Sequence, residues 1–281
     1  MKAALRHLRY VLGENPVTLA AFALFVVLVI VALLGPWIEP YNPLATDAMH
    51  ALLAPSADHW CGTDSVGRDI LSRIISATRL DLTIAFAAVL LSFAVGALAG
   101  LAAGYFGGWT ERAVGRAADT IMAFPLFVLA MGIVAALGNT IANIVYATAI
   151  INTPLYARVA RSEASVLRQA GFVEAARLGG NSELRILLAQ VLPNTMPLLA
   201  VQMSLTMGYA ILNAAGLSFI GLGISPPTAE WGIMVAEGAS NIISGEWWVA
   251  LFPGLALMLA VFCFNLLGDG LRDLIDPRRR T

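Results

Sequence analysis

Lysine occurs once in the 281 residues, at Lys2. A phosphate-binding loop of the form GxxxxGK[ST] is therefore impossible, so any Walker-type ATP site must sit on another chain. His7, His50 and His59 all lie in polar stretches. That removes haem ligation by histidine within a membrane and leaves no intramembrane metal site. Cys61 lies in a polar segment and Cys263 in an apolar run; they read as free thiols, without metal-ligand spacing. No Ser/His/Asp or Cys/His set can be brought to one depth, so hydrolysis is disfavoured. What remains is binding and movement rather than bond chemistry.

Two polar constellations fit that. Gln202, Thr206, Tyr209 and Asn213 recur at helical spacing inside an apolar stretch and share one face. Polar groups in hydrocarbon need partners or water. They line a watery path for a polar solute, or they glue helices together by hydrogen bonds. Asp64, Arg68, Asp69 and Arg73 form a charged cluster in a loop. It is expected to combine local folding with docking of a partner; the plainer reading is a solvated interfacial helix with surface ion pairs.

The elements that position these residues are membrane helices. Hydrophobic residues make up 59% of the chain and charged residues 12%, and mean hydropathy is +0.78. A soluble fold could not bury that much apolar surface. Charge-free runs occupy 17–38, 82–110, 120–157, 186–229 and 247–268. The third is too long for one crossing, and Gly138-Asn139-Thr140 supplies turn chemistry near its middle, so six spans are predicted. The first follows Lys2, Arg6 and Arg9 and is too long for a signal peptide, hence an uncleaved span. With the N-terminus inside, all of the 17 basic residues except Arg68, Arg73 and Arg79 fall on the inner side. The positive-inside rule then places both termini in the cytoplasm. Residues 1–80 read as a tail, first span and outer loop, and 81–281 as the main membrane domain. The predicted spans hold no Asp, Glu, Lys or Arg, which argues against a proton-driven carrier. The net charge of −1 averages two sides of a membrane, and no nucleic-acid partner is expected.

Two further patterns concern helix geometry. Ala88, Ser92, Gly96, Gly100 and Gly104 recur every fourth residue, a smooth face for close helix packing. The inner segment 158–193 contains GFVEAARLGGNSELRILLAQVLPN. Val173 to Leu178 are good helix formers stopped by Gly179-Gly180. Asn181 or Ser182 can cap a second helix to Leu192, and Pro193 ends it or begins the next span. Such an elbow either docks into a groove on a partner or merely connects two spans.

In this segment Glu174-Ala175-Ala176, then Gly180 and Leu192-Pro193, resemble the EAA motif of ABC importer permeases; Gln190 stands where that motif favours isoleucine. Gly62-Thr63-Asp64 with Gly67-Arg68-Asp69 is similar to the GTDxxGRD signature of the dipeptide, oligopeptide and nickel permeases. Residues 216–223, Pro226-Pro227 and Glu230-Trp231-Gly232 resemble the segment after that family's fifth span, and Asn265 to Asp269, Leu271 to Asp273 and Asp276-Pro277 its C-terminal signature. The resemblance implies an all-α, MetI-like, six-span subunit of the C type in a bacterial inner membrane. It implies a homologous permease as heterodimer partner, two ATPases that bind the ATP and Mg, an extracytoplasmic binding protein, contact with membrane lipid, and a peptide substrate. It also assigns ATPase coupling to Glu174, Ala175, Ala176, Gly180, Leu192 and Pro193. No cofactor or metal is expected on this chain, and no catalysis. Nickel, glutathione or opines are the alternative substrates within the family. A self-contained carrier and a non-transporting scaffold are the alternatives outside it.

Overall fold

The structure, a computed structural model, describes residues 16–275. Expectations for Lys2, Arg6, His7, Arg9 and Asp276 onward lie outside them. The described residues are all-α, with one isolated bridge between Thr63 and Asp69.

Helix α1 (Pro16–Ile38) is apolar all round, with only Thr18, Ala21 and Gly35 buried. It leans on the rest at a few close points: Gly35 against Ile75, Ala21 against Cys263 and Thr18 against Gly270. Helix α2 (Ile70–Phe106) starts well before residue 82, because Asp69 caps it through the Ser72 amide. Arg73, Arg79 and Asp81 therefore lie inside a helix, ahead of the charge-free run that begins at residue 82. Rise per residue explains how this is tolerated. A helix of 37 residues is about 55 Å long, against a hydrocarbon core of roughly 30 Å. The charged turns lie in the overhang next to the first loop.

Gly107, at φ +66°, ends α2. Helices α3 (Gly108–Met122) and α4 (Leu126–Leu137) follow, bent by 87° at the break before Pro125. Gly138, at φ +96°, ends α4, and the Thr140 hydroxyl caps α5 (Ile141–Leu167) through Asn143. The long run 120–157 thus divides at the Gly-Asn-Thr turn. A short helix α6 (Gly171–Leu178) and a single turn α7 (Glu183–Ile186) lead through a π-turn at Leu187–Val191 into α8 (Leu192–Phe219). Pro193 stands in the first turn of α8 and so begins the next span, one of its two expected roles. The π-turn before it is closed by Leu192 N–H bonding Leu187 O. Helix α9 (Trp231–Ala239) lies in the last loop, and α10 (Trp248–Ile275) closes the fold.

Among the described residues, four helical stretches are long and apolar enough to cross a membrane, and the bent α3–α4 pair raises that to five. Helix α5 falls short by composition: Asn143, Asn152, Arg158, Arg161 and Glu163 dilute it.

The core is built by close backbone approach. Ala88, Ser92, Gly96, Gly100 and Gly104 all lie on the buried face of α2. A Cβ on Gly96, Gly100 or Gly104 would sit 2.5, 2.3 and 2.2 Å from the carbonyl oxygens of Thr153, Ala157 and Arg161. Those three partners also recur every fourth residue, so the two helices run in register. Helix α9 seats on α8 in the same manner, with Gly232 against the Ala215 carbonyl.

Candidate functional site

Three assemblies carry the chemistry. The first is the elbow after α5. Val173 is its only buried anchor in α6, while Phe172, Glu174, Ala175 and Leu178 are exposed and Ala176 is half-buried. The Gly179-Gly180 stop is a Schellman end: Asn181 N–H bonds Ala176 O at 3.2 Å and Gly180 N–H bonds Arg177 O at 3.1 Å. Gly180 takes φ +79°, which a side chain would strain. Ser182 then caps α7 through the Arg185 amide.

What holds this elbow to the membrane helices was not singled out from the sequence. Arg177 Nε donates to Glu183 Oε1 at 2.7 Å, and its Nη2 donates to Glu183 Oε2 at 3.1 Å and to the Tyr105 hydroxyl at 3.2 Å. The Tyr105 hydroxyl in turn donates to Glu183. Glu183 raises the guanidinium pKa of Arg177 above its ordinary value, so the arginine stays charged. This clamp ties α6 to α7 and to the last turn of α2. The available signal was an Arg and a Glu six residues apart across a glycine break; nothing local points to Tyr105. By contrast Glu174 makes no ion pair among the described residues and faces outward. Leu192 is half-buried and Pro193 exposed at the start of α8. Two further pairs, Arg158–Asp119 at 2.7 Å and Arg161–Glu111 at 3.4 Å, bridge α5 to α3 nearby.

The second assembly is the polar stripe of α8. Thr206 is fully buried, Gln202 and Asn213 are half-buried and Tyr209 is 57% exposed. Gln202 Nε2 donates to Thr206 Oγ1 at 3.2 Å, and that hydroxyl donates to the Gln202 carbonyl at 2.8 Å. The buried Tyr156 hydroxyl of α5 lies beside both Thr206 and Ser92. The fold thus joins the stripe and the small-residue ladder at one polar point inside the bundle. Thr206 thus meets α5, Gln202 bonds within α8, and Tyr209 is the exposed member of the stripe.

The third is the first loop. Asp64, Arg68, Asp69 and Arg73 are all buried, which corrects the solvated-helix reading. Asp64 accepts from the amides of Val66 and Arg68 and pairs with Arg68 Nε and, at 3.6 Å, with Arg73 Nε. Glu237 on α9 closes the cluster, 3.1 Å from Arg68 and 3.4 Å from Arg73. Asp69 accepts from Ser72 and meets His59 Nδ1 at 2.9 Å. Gly62 and Gly67 are both at positive φ, and a Cβ on Gly67 would sit 1.9 Å from the Asp47 carbonyl oxygen. The signature is therefore a folding unit: glycines for close approach, Asp64 for the turn, Asp69 for the cap, Arg68 for the latch to α9. Below it lies a carboxyl pair that the sequence analysis missed. Asp81 accepts from the Trp231 amide, and adjacent Glu230 caps α9 by accepting from Gly232 and Ile233. Burial raises the Glu230 pKa. Asp81 stood at the edge of a predicted span, and Glu230 inside a loop, so only the fold could bring them together.

The sequence matches known families and relatives. Residues 96–281 match the family described as binding-protein-dependent transport system inner membrane component, and residues 5–55 match the N-terminal TM domain of oligopeptide transport permease C. The chain is 40% identical over 269 residues to the probable D,D-dipeptide transport system permease protein DdpC of Escherichia coli K12, covering 96% of this chain and 90% of that one. It is 39% identical to the dipeptide transport system permease protein DppC of Alkalihalophilus pseudofirmus, covering 96% and 88%. It is 44% identical to the glutathione transport system permease protein GsiD of Escherichia coli O6:K15:H31, covering 91% and 85%. The chain belongs to the binding-protein-dependent transport family and is a non-catalytic permease subunit of an ABC importer in the bacterial inner membrane.

Proposed function

We propose that this subunit imports di- or oligopeptides by alternating access, as half of a heterodimer with a homologous permease. Two ATPases beneath it bind ATP and Mg, and an extracytoplasmic binding protein delivers substrate. Six spans with both termini in the cytoplasm are the arrangement, α5 being the fourth crossing in chain order; residues 1–80 are an addition to the 81–281 domain. The observation that carries the reading is the exposed elbow of α6, clamped to α2 and α7 by Arg177, Tyr105 and Glu183. An exposed helix held rigidly to two membrane helices suits a coupling role for Glu174, Ala175, Ala176 and Gly180, with Leu192 and Pro193 passing motion into α8. Tyr209 and Asn213 face the path, with Gln202 and Thr206 bracing them from behind. Asp64, Arg68 and Asp69 shape the outer surface that receives the binding protein.

The test replaces Glu174 with Ala and Gly180 with Val in the assembled complex. Uptake of labelled dipeptide should be lost while complex assembly and substrate capture by the binding protein persist. Normal uptake at normal abundance would refute the coupling assignment. Glutathione is the second reading, favoured by the 44% identity to a relative named for it. Competition of labelled dipeptide by glutathione in the same assay separates the two.

A further inference from the structure

A cavity of about 860 Å³ opens between α1, α2, α8 and α10, within the roughly 300–1,000 Å³ of small-molecule sites. Phe22, Phe25 and Leu33 of α1, Phe86 of α2 and Met207 of α8 give it an apolar wall. Its hydroxyls are already engaged: Ser204 donates to the Phe264 carbonyl and Thr83 to the Arg79 carbonyl. The one charged group in the wall is Arg79. It is exposed and, among the described residues, makes no ion pair, whereas Arg68 and Arg73 are both matched.

Position adds to this. Arg79 precedes the charge-free part of α2 by three residues and so sits at headgroup level. Val89, the far α2 residue of the wall, is about 15 Å further along the helix. That is half of the roughly 30 Å hydrocarbon core along α2 alone; Phe22 of α1 and Leu271 of α10 carry the apolar wall on towards the other face. We propose that the groove holds an anionic phospholipid, its acyl chain along the apolar wall and its phosphate on Arg79. The lipid would fill the seam between α1 and the rest of the bundle.

The experiment uses the intact importer complex, delipidated in mild detergent and returned to mixed phosphatidylglycerol and phosphatidylethanolamine, and reads retained lipid by native mass spectrometry. Phosphatidylglycerol should be retained selectively. Arg79→Gln should lower that retention about five-fold, the effect of about 1 kcal/mol per basic residue at a membrane surface, and Arg79→Lys should preserve it. Ala200→Trp, which plugs the groove, should remove both lipids. Arg79 is exposed, so the two Arg79 variants decide the matter even where the tryptophan variant fails to assemble. Equal retention of the two lipids unaffected by Arg79→Gln would overturn the proposal. So would a photo-crosslinker at Phe86 that captures a protein subunit instead of lipid.

Discussion

Gly100→Ala sets two physical effects against each other and so tests the helix packing by sign. Glycine in a helix interior costs about 1 kcal/mol relative to alanine, so propensity alone predicts stabilisation. The structure predicts the reverse. The new Cβ would meet Ala157 at 2.3 Å from its O, 2.8 Å from its Cα and 2.9 Å from its C, where ordinary contact begins at 3.4 Å. All three are backbone atoms, so no side chain can swing aside, and the helices must part by about 1 Å. Gly96 and Gly104 hold the same separation on either side, so relief cannot be local. Overpacking of this kind costs up to about 3 kcal/mol, leaving about 2 kcal/mol net loss after the propensity gain. The assay is thermal unfolding of the purified complex with a thiol-reactive dye, which reports exposure of buried Cys263. Ala157→Gly should not rescue the variant, because the clash is with the carbonyl rather than the methyl group. Gly132→Ala in α4 is the control: nothing lies within 4 Å of its added Cβ, so it should be neutral or stabilising. A Gly100→Ala variant as stable as the parent would refute the close approach of α2 and α5.

Arg177→Gln or Tyr105→Phe should loosen α6 without unfolding the bundle, so substrate-stimulated ATP hydrolysis should fall while the complex still assembles; unchanged stimulation would show the clamp is not a coupling element. Asp64→Asn leaves Arg68 and Arg73 buried with only Glu237 between them, which should cost about 3 kcal/mol and admit protease to the first loop, as limited proteolysis would report. Glu230 has a raised pKa because it is buried. The folded chain then binds more protons than the unfolded chain above the ordinary value of 4.5, and stability falls as pH rises through that window. Glu230→Gln should flatten this slope in a melting series across pH, and an unaltered slope would count against the Asp81–Glu230 pairing.

Patterns that depend on neighbours in the chain were legible. The division at Gly138-Asn139-Thr140, the small-residue face of α2 and the Gly179-Gly180 stop all follow from local chemistry. Two features were not, for one reason: each needs a partner far away. Arg73 and Asp81 look like loop charges until Glu237 and the Trp231 amide arrive from more than a hundred residues later. Asp69 caps the helix locally, and those partners are what let Arg73 and Asp81 be buried in it. Tyr105 reads as an aromatic at a span end until Arg177 reaches it. The π-turn before Pro193 is local, but it has no sequence signature of its own. The family resemblance supplied what locality could not, but it named the signature residues without saying that Asp64 and Arg68 point inward.

The length of α2 carries a mechanical consequence. Arg73, at one end, is held by the latch to α9, and Tyr105, at the other, by the clamp to α6. A continuous helix of 37 residues is about 55 Å long and behaves as a stiff rod. A tilt of about 5° about its middle would shift the two ends by about 2 Å in opposite senses, enough to break a hydrogen bond at either. The two faces of the membrane are thus set by a single angle, and a pull on one is felt at the other without a relay of side chains between them.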